Sequence, residues 1–255
     1  MIDIPFDPDL VIGSVRVSWH SLFALVGMIV GSVVSIRAAR YLVRDQRIYP
    51  FALLVIVGGL AGARVAHILD NESFYAGDVL KMLDLSRGGI GTMGAPIGSS
   101  VAGLIGCAWL RLPRGFMFDI SVVGISIGEA IGRIGDVING EHHGTACDLS
   151  WCVRYTSPRT LGQSTPVHPI GVYDGLLMIA IFLALYVYWR RVRGHPPESR
   201  VYWAYLLLLG AGRFIESFVR VEPVVAFGME EGQILGLLYA GAGAVMLPVL
   251  SRRAR

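Results

Sequence analysis

The stretch "FDISVVGISIGEAIGRIGDVINGE", residues 118–141, begins as an apolar run and sets Glu129, Arg133, Asp136 and Glu141 inside it or just past its end. Its first part reads as a membrane span, since a helix needs roughly 20 mostly apolar residues to cross a bilayer. Ionisable groups at such a depth are costly and mark a functional site by default. Glu129 and Arg133 are spaced i, i+4 and Asp136 follows at i+7, so all three share one face if the helix continues that far. The competing reading is a structural ion pair that joins helices.

The rest of the chain supports the membrane assignment. Of 255 residues, 54% are hydrophobic and 16% charged, and the mean hydropathy is +0.58, which excludes an ordinary soluble domain. Apolar stretches recur at 18–36, 50–69, 94–110, 116–131, 170–189, 201–217 and 232–250. This pattern predicts an all-α integral membrane protein, a single polytopic domain over 1–255 with about seven transmembrane helices. An insert at about 140–168 is left as an external loop.

Arginine clusters at 37–47, 111–114, 190–200 and 252–255 all fall on one side of seven such spans. The positive-inside rule makes that side cytoplasmic, with the N-terminus outside and the C-terminus in the cytoplasm. The net charge of +3 therefore expresses loop asymmetry and gives no case for nucleic acid. No cleavable signal peptide is expected, because "IDIPFDPDL" after Met1 lacks a basic region. Cys147 and Cys152 flank "DLSW" in the external insert, where a disulfide persists.

Four intramembrane cations, Arg64, Arg133, Arg213 and Arg220, outnumber the carboxylates Glu129, Asp136 and Glu216. An anionic ligand would complete the balance, and in a bilayer the abundant anion is the lipid phosphate, which arginine binds well. Snorkelling is the alternative for Arg220, helix packing for Arg64 with His67, and an interfacial aromatic belt for His20 beside Trp19. "SRGGIGTMGAPIG" (86–98) allows backbone to approach a ligand closely. No metal is expected: Glu141, His142, His143, Cys147, Asp148 and Cys152 crowd one loop, but their spacing fits no zinc pattern. The absence of a repeat between the halves argues against a transporter.

These residues also carry a family resemblance. "GRIGDVINGEHHG" (132–144) resembles the signature of the bacterial prolipoprotein diacylglyceryl transferases, G-R-hydrophobic-G-N-F-hydrophobic-N-G-E followed by a glycine. "SWHSLFALVG" (18–27), "GGLAGARVAHIL" (58–69), "RGGIGTMGAPIG" (87–98), "HPIGVYDG" (168–175), "GAGRFIESFVR" (210–220) and "GMEEGQILG" (228–236) are similar to the family's other motifs, in the same order. The resemblance implies a seven-span enzyme of the bacterial plasma (inner) membrane that needs no cofactor. Its substrates would be phosphatidylglycerol and signal-peptide-bearing preprolipoproteins. The diacylglyceryl group would pass to the lipobox cysteine thiol, giving a thioether and releasing glycerol 1-phosphate.

On this reading Arg133 and Arg213 hold the phosphate, with Arg64 and Arg220 as supporting cations. Asn139, Gly140 and Glu141 line the headgroup pocket, Gly144 permits the turn after it, and His168, Tyr173 and Asp174 shape the outer mouth. The chain departs from the family pattern at several of these places. Met93 stands where the family commonly has a histidine proposed as the thiol base, Asp136 where it has asparagine, and His20 where it has tyrosine. Two accounts follow. Either the base has moved to Asp136, Glu141, His20 or His142, or the arginine field lowers the thiol pKa enough that little base is needed, with the chemistry retained; or the phospholipid site serves a different acceptor.

Overall fold

The computed structural model describes residues 1–13, 15–83, 94–195 and 198–253. Its order is β1 (Ile2–Ile4), β2 (Asp9–Ile12), β3 (Val15–Ser18), α1 (Trp19–Ala39), α2 (Ile48–Asp70), α3 (Glu72–Tyr75), α4 (Val79–Leu83), α5 (Gly94–Trp109), α6 (Arg114–Asn139), β4 (Val153–Tyr155), α7 (Ile170–Val192), α8 (Arg200–Ser217), β5 (Val224–Ala226), β6 (Met229–Glu230) and α9 (Glu231–Arg253). The protein is a mostly helical membrane protein. Among the described residues α1, α2, α6, α7 and α9 are long and apolar enough to cross a bilayer, and α5 is a shorter apolar helix. The 18 residues of α8 include Arg200, Arg213 and Glu216, which lower its hydropathy.

Each of the seven apolar stretches lies on a helix, but α6 runs on to Asn139, well past the expected end at 131. Its polar final turns stay helical because their side chains find partners in other elements. The short strands are a departure from an all-α chain. β1 runs parallel to β4, pairing Ile2 with Val153 and Ile4 with Tyr155. Ile4, Val153, Tyr155 and Val167 form a small core there, against which Val137 of α6 packs. The region from 140 to 168, read from sequence as a loop, is thus a built structure, with Cys147 and Cys152 joined in a disulfide.

The chain divides into two compact units, Ile36–Phe118 and Met1–Ser35 with Asp119–Arg255. In the smaller unit α2 and α5 meet through glycines: a Cβ on Gly98 would come within 2.8 Å of the Gly62 Cα. Met93, read as a substrate-site residue, lies outside the described residues.

In the larger unit glycines also bring α1 and α6 together. A Cβ at Gly128 would sit 2.8 Å from the Gly27 carbonyl, and one at Gly135 would sit 2.6 Å from the His20 Cα. Backbones approach this closely only where no side chain intervenes. Asp119 of α6 is buried and accepts the Ser199 and Tyr202 backbone N–H groups at 2.9 and 2.8 Å. It thereby satisfies amides at the start of α8 that have no partner within the helix. At the other end of α8, Gly210 and Gly236 allow close contact with α9.

Gly128→Leu should lower the melting temperature of the protein in detergent, at a cost of about 1–3 kcal/mol for overpacking. Gly132→Ala, whose Cβ meets nothing nearer than 4.0 Å, should leave it nearly unchanged.

Candidate active site

The start of α1, the end of α6, the start of α7, the end of α8 and the approach to α9 converge in the larger unit, and their polar residues form one connected group. Arg133 NH1 donates to Asp136 Oδ2 at 2.8 Å and lies 3.3 Å from Asp174 Oδ2. Asp174 Oδ2 in turn accepts from Arg220 NH2 at 2.5 Å. Arg220 Nε is 3.7 Å from Glu222 Oε1, which also pairs with Arg213 NH2. The second Glu222 oxygen accepts the Gly232 N–H at 3.1 Å, in the first turn of α9. Glu216 of α8 interacts with Asp174, and Glu129, one turn before Arg133, interacts with that arginine electrostatically.

Two of these carboxylates change the charge balance expected from sequence. Asp174, read as part of an outer mouth, is buried at 5% exposure and neutralises Arg220. Glu222 lies in the segment between α8 and the β5 strand, where nothing nearby in sequence marks it as a partner of Arg213. Arg220 is buried too, at 6% exposure, and does not snorkel.

A second branch leads from Asp136 to α1. His20 Nδ1 lies 2.5 Å from Asp136 Oδ1 and 3.2 Å from Glu141 Oε2. Glu141 Oε1 accepts from Asn139 Nδ2 at 2.8 Å. His142 Nε2 is 2.6 Å from Arg133 NH1 and 3.1 Å from Asp136 Oδ2, while His143 turns away to the Leu161 carbonyl.

The turn that presents these residues depends on two glycines. Gly140 closes α6 with φ +75° and lies so close to Gly162 that a Cβ would come within 2.5 Å of its Cα. Tyr155 walls the same spot; burial pushes its hydroxyl up to about 12, so the ring stays neutral. At Gly144 a Cβ would collide with the His168 carbonyl, and the Gly144 backbone bridges to Arg220. His168 Nδ1 and the Tyr173 hydroxyl are 3.1 Å apart, and Trp151 Nε1 donates to that hydroxyl at 2.9 Å.

On the α6–α7 side an apolar groove of about 360 Å³ runs beside Ile131, Ile134, Ile138, Leu176 and Ile179, and among the described residues Arg133 is its one charged lining residue. Gly171 and Gly175 of α7 keep it open. Among the described residues the hydrogen bonds of Arg133 all use NH1, which leaves its Nε and NH2 edge for a ligand.

A profile of the prolipoprotein diacylglyceryl transferases matches residues 9–249. The chain belongs to that family. Similar proteins, each named phosphatidylglycerol–prolipoprotein diacylglyceryl transferase, occur in several bacteria. The Clostridioides difficile protein is 26% identical over 94% of this chain and 93% of its own length. That of Dehalococcoides mccartyi is 28% identical over 100% and 96%, and that of Geobacter sulfurreducens 29% over 95% and 94%. Family membership makes this protein an enzyme, a membrane transferase of the diacylglyceryl class.

Within this transferase the larger unit brings together His20, Arg133, Asp136, Asn139, Gly140, Glu141, Arg213 and Arg220. Gly144, His168 and Tyr173 shape the adjoining segment. Arg64 belongs to the smaller unit, where it is buried, donates to the Met82 and Lys81 carbonyls at 2.8 and 2.6 Å and lies over the Tyr75 ring. His20, Asp136 and Glu141 place one nitrogen and two carboxylates within 4.8 Å, a set that could hold a metal ion. The close Arg133 guanidinium and the His20–Asp136 hydrogen bond favour an internal hydrogen-bonded arrangement instead. The two loop cysteines are tied up in their disulfide.

Asp174→Asn should destabilise the protein by about 3–5 kcal/mol, the typical cost of breaking a buried ion pair on one side. Adding Arg220→Met should recover part of that loss, measured by melting in detergent as a double-mutant cycle.

Proposed function

We propose that this protein transfers the diacylglyceryl group of phosphatidylglycerol to the lipobox cysteine thiol of preprolipoproteins, leaving a thioether and glycerol 1-phosphate. The observation that carries this reading is the position of Arg133, between a water-poor group of carboxylates and an apolar groove. A phospholipid presents the same sequence of chemistry, an anionic ester beside acyl chains.

The sulfur attacks the glyceryl carbon bonded to the phosphate oxygen. As the C–O bond breaks, the phosphate gains a second negative charge, and a positioned guanidinium stabilises that charge more in the transition state than in the ground state. In this scheme Arg133 and Arg213 take the phosphate, while Arg220 supplies supporting positive field. Asn139, Gly140 and Glu141 receive the glycerol headgroup. The Asn139 Oδ1, buried and without a hydrogen-bond partner among the described residues, suits a glycerol hydroxyl, because an unpaired buried acceptor is costly. His168 and Tyr173 flank the mouth. We place the chain in the bacterial inner membrane as one seven-span domain, N-terminus and the 140–168 insert outside, C-terminus in the cytoplasm. No cofactor enters the reaction.

Expression in a bacterium depleted of its own diacylglyceryl transferase should add the mass of one diacylglyceryl group to a lipobox lipoprotein. Arg133→Ala and Arg213→Ala should each lose at least about 10²-fold in rate, as for removal of a charge-stabilising donor, with membrane insertion intact. Full activity in either variant would remove the phosphate role. No added mass from an inserted wild-type chain would point to a different acceptor. Met93→His should leave transfer unchanged or faster, and loss of activity would show that the position is packed around methionine.

A further inference from the structure

We propose, resting on the thiol-transfer reading above, that His20 is the base that takes the cysteine proton and that Asp136 is its positioning residue. The groups weighed as the thiol base from the sequence are Asp136, Glu141, His20 and His142, and all four join the polar group around Arg133. Their hydrogen bonds separate them.

Both oxygens of Asp136 are engaged, Oδ1 by His20 at 2.5 Å and Oδ2 by Arg133 at 2.8 Å. Both oxygens of Glu141 are likewise in contact, with Asn139 Nδ2 at 2.8 Å and His20 Nδ1 at 3.2 Å. His142 Nε2 lies 2.6 Å from an arginine NH1, its closest polar contact. Its 3.1 Å approach to Asp136 Oδ2 closes a triangle around the same guanidinium, so this nitrogen is engaged on both sides within the polar group.

His20 has the opposite arrangement. Ionised carboxylates only accept, and two of them face Nδ1, so Nδ1 carries the hydrogen and Nε2 presents a lone pair. Among the described residues none hydrogen-bonds to that Nε2, and the side chain is 44% exposed, within reach of an incoming thiol. A carboxylate that fixes the tautomer and steadies the imidazolium formed on proton transfer is the general logic of a histidine base.

The S–H proton moves to His20 Nε2, the sulfur forms its bond to the glyceryl carbon, and the C–O bond breaks with its electron pair going to the phosphate oxygen. His20 then returns the proton to water. Asp136, Glu141 and Arg133 are the charged groups around His20, with His142 beyond Asp136. Position 20 is brought there by Gly135, whose missing side chain lets α1 close against α6.

The test uses the purified full chain in detergent with phosphatidylglycerol and a lipobox peptide, following kcat against pH. The wild type should show an acid limb from one group that must be neutral. His20→Gln should lower kcat by about 10²–10⁴-fold and replace that limb with one that follows the peptide thiol near about pH 8.5, with partial rescue by added imidazole. Should His20→Gln aggregate, His20→Asn, whose amide N–H can stand in for Nδ1–H toward Asp136, should give the same loss. His142→Gln should keep the acid limb whatever its kcat. An unchanged limb and kcat in a folded His20 variant, or loss of the limb in His142→Gln alone, overturns the assignment to His20. A wild type that transfers nothing to the peptide overturns the thiol-transfer reading itself.

Discussion

Three arginines, Arg133, Arg213 and Arg220, stand where helix ends of the larger unit meet, and each would cost several kcal/mol to remove from water without a carboxylate to receive it. Asp136, Asp174 and Glu222 supply the carboxylates, and they come from α6, α7 and the segment leading to β5. The alternation of charge along Arg133, Asp174, Arg220, Glu222 and Arg213 therefore ties α6, α7, α8 and α9 together at one end. Buried pairs of this kind contribute little net stability over apolar packing, yet leaving one member unpaired is expensive. What they supply is a defined arrangement, since few ways of packing these helices would satisfy every charge.

The same arrangement leaves selected atoms unsatisfied, and these are the ones suited to chemistry. Arg133 engages NH1 internally and presents its other edge near an apolar groove. Asn139 buries a carbonyl oxygen with no partner among the described residues. His20 commits Nδ1 to carboxylates and keeps Nε2. Glycines make this geometry accessible: Gly135 admits α1, Gly140 turns the chain at the end of α6, and Gly144 lets the backbone run against His168 and Arg220. In each case the residue matters for the atoms it lacks.

Much of this is legible in the sequence. Hydropathy locates the apolar helices among the described residues to within a few residues at most ends, because burial of apolar side chains in lipid leaves a composition signal that needs no knowledge of neighbours. The signature around Arg133 locates the polar group, because i, i+4 and i+7 spacing is a property of one helix. Asp119 escapes such a reading, since a carboxylate that caps a helix 80 residues later carries no local mark. The strands escape for a similar reason: β1 and β4 are three residues each and exist only by pairing with one another across about 150 positions of chain.

The sequence by itself determined that the chain is a mostly helical membrane protein of the diacylglyceryl transferase family, and which ionisable residues fall within or beside its apolar stretches. Those properties follow from periodicity, composition and local motifs, each a function of residues close together in the chain. Only the tertiary structure decided which carboxylate meets which arginine, and which ring nitrogen of His20 faces Asp136 and Glu141. Partner choice among charges depends on distances between helices that sequence spacing does not contain, and a histidine's free nitrogen depends on what its other nitrogen touches.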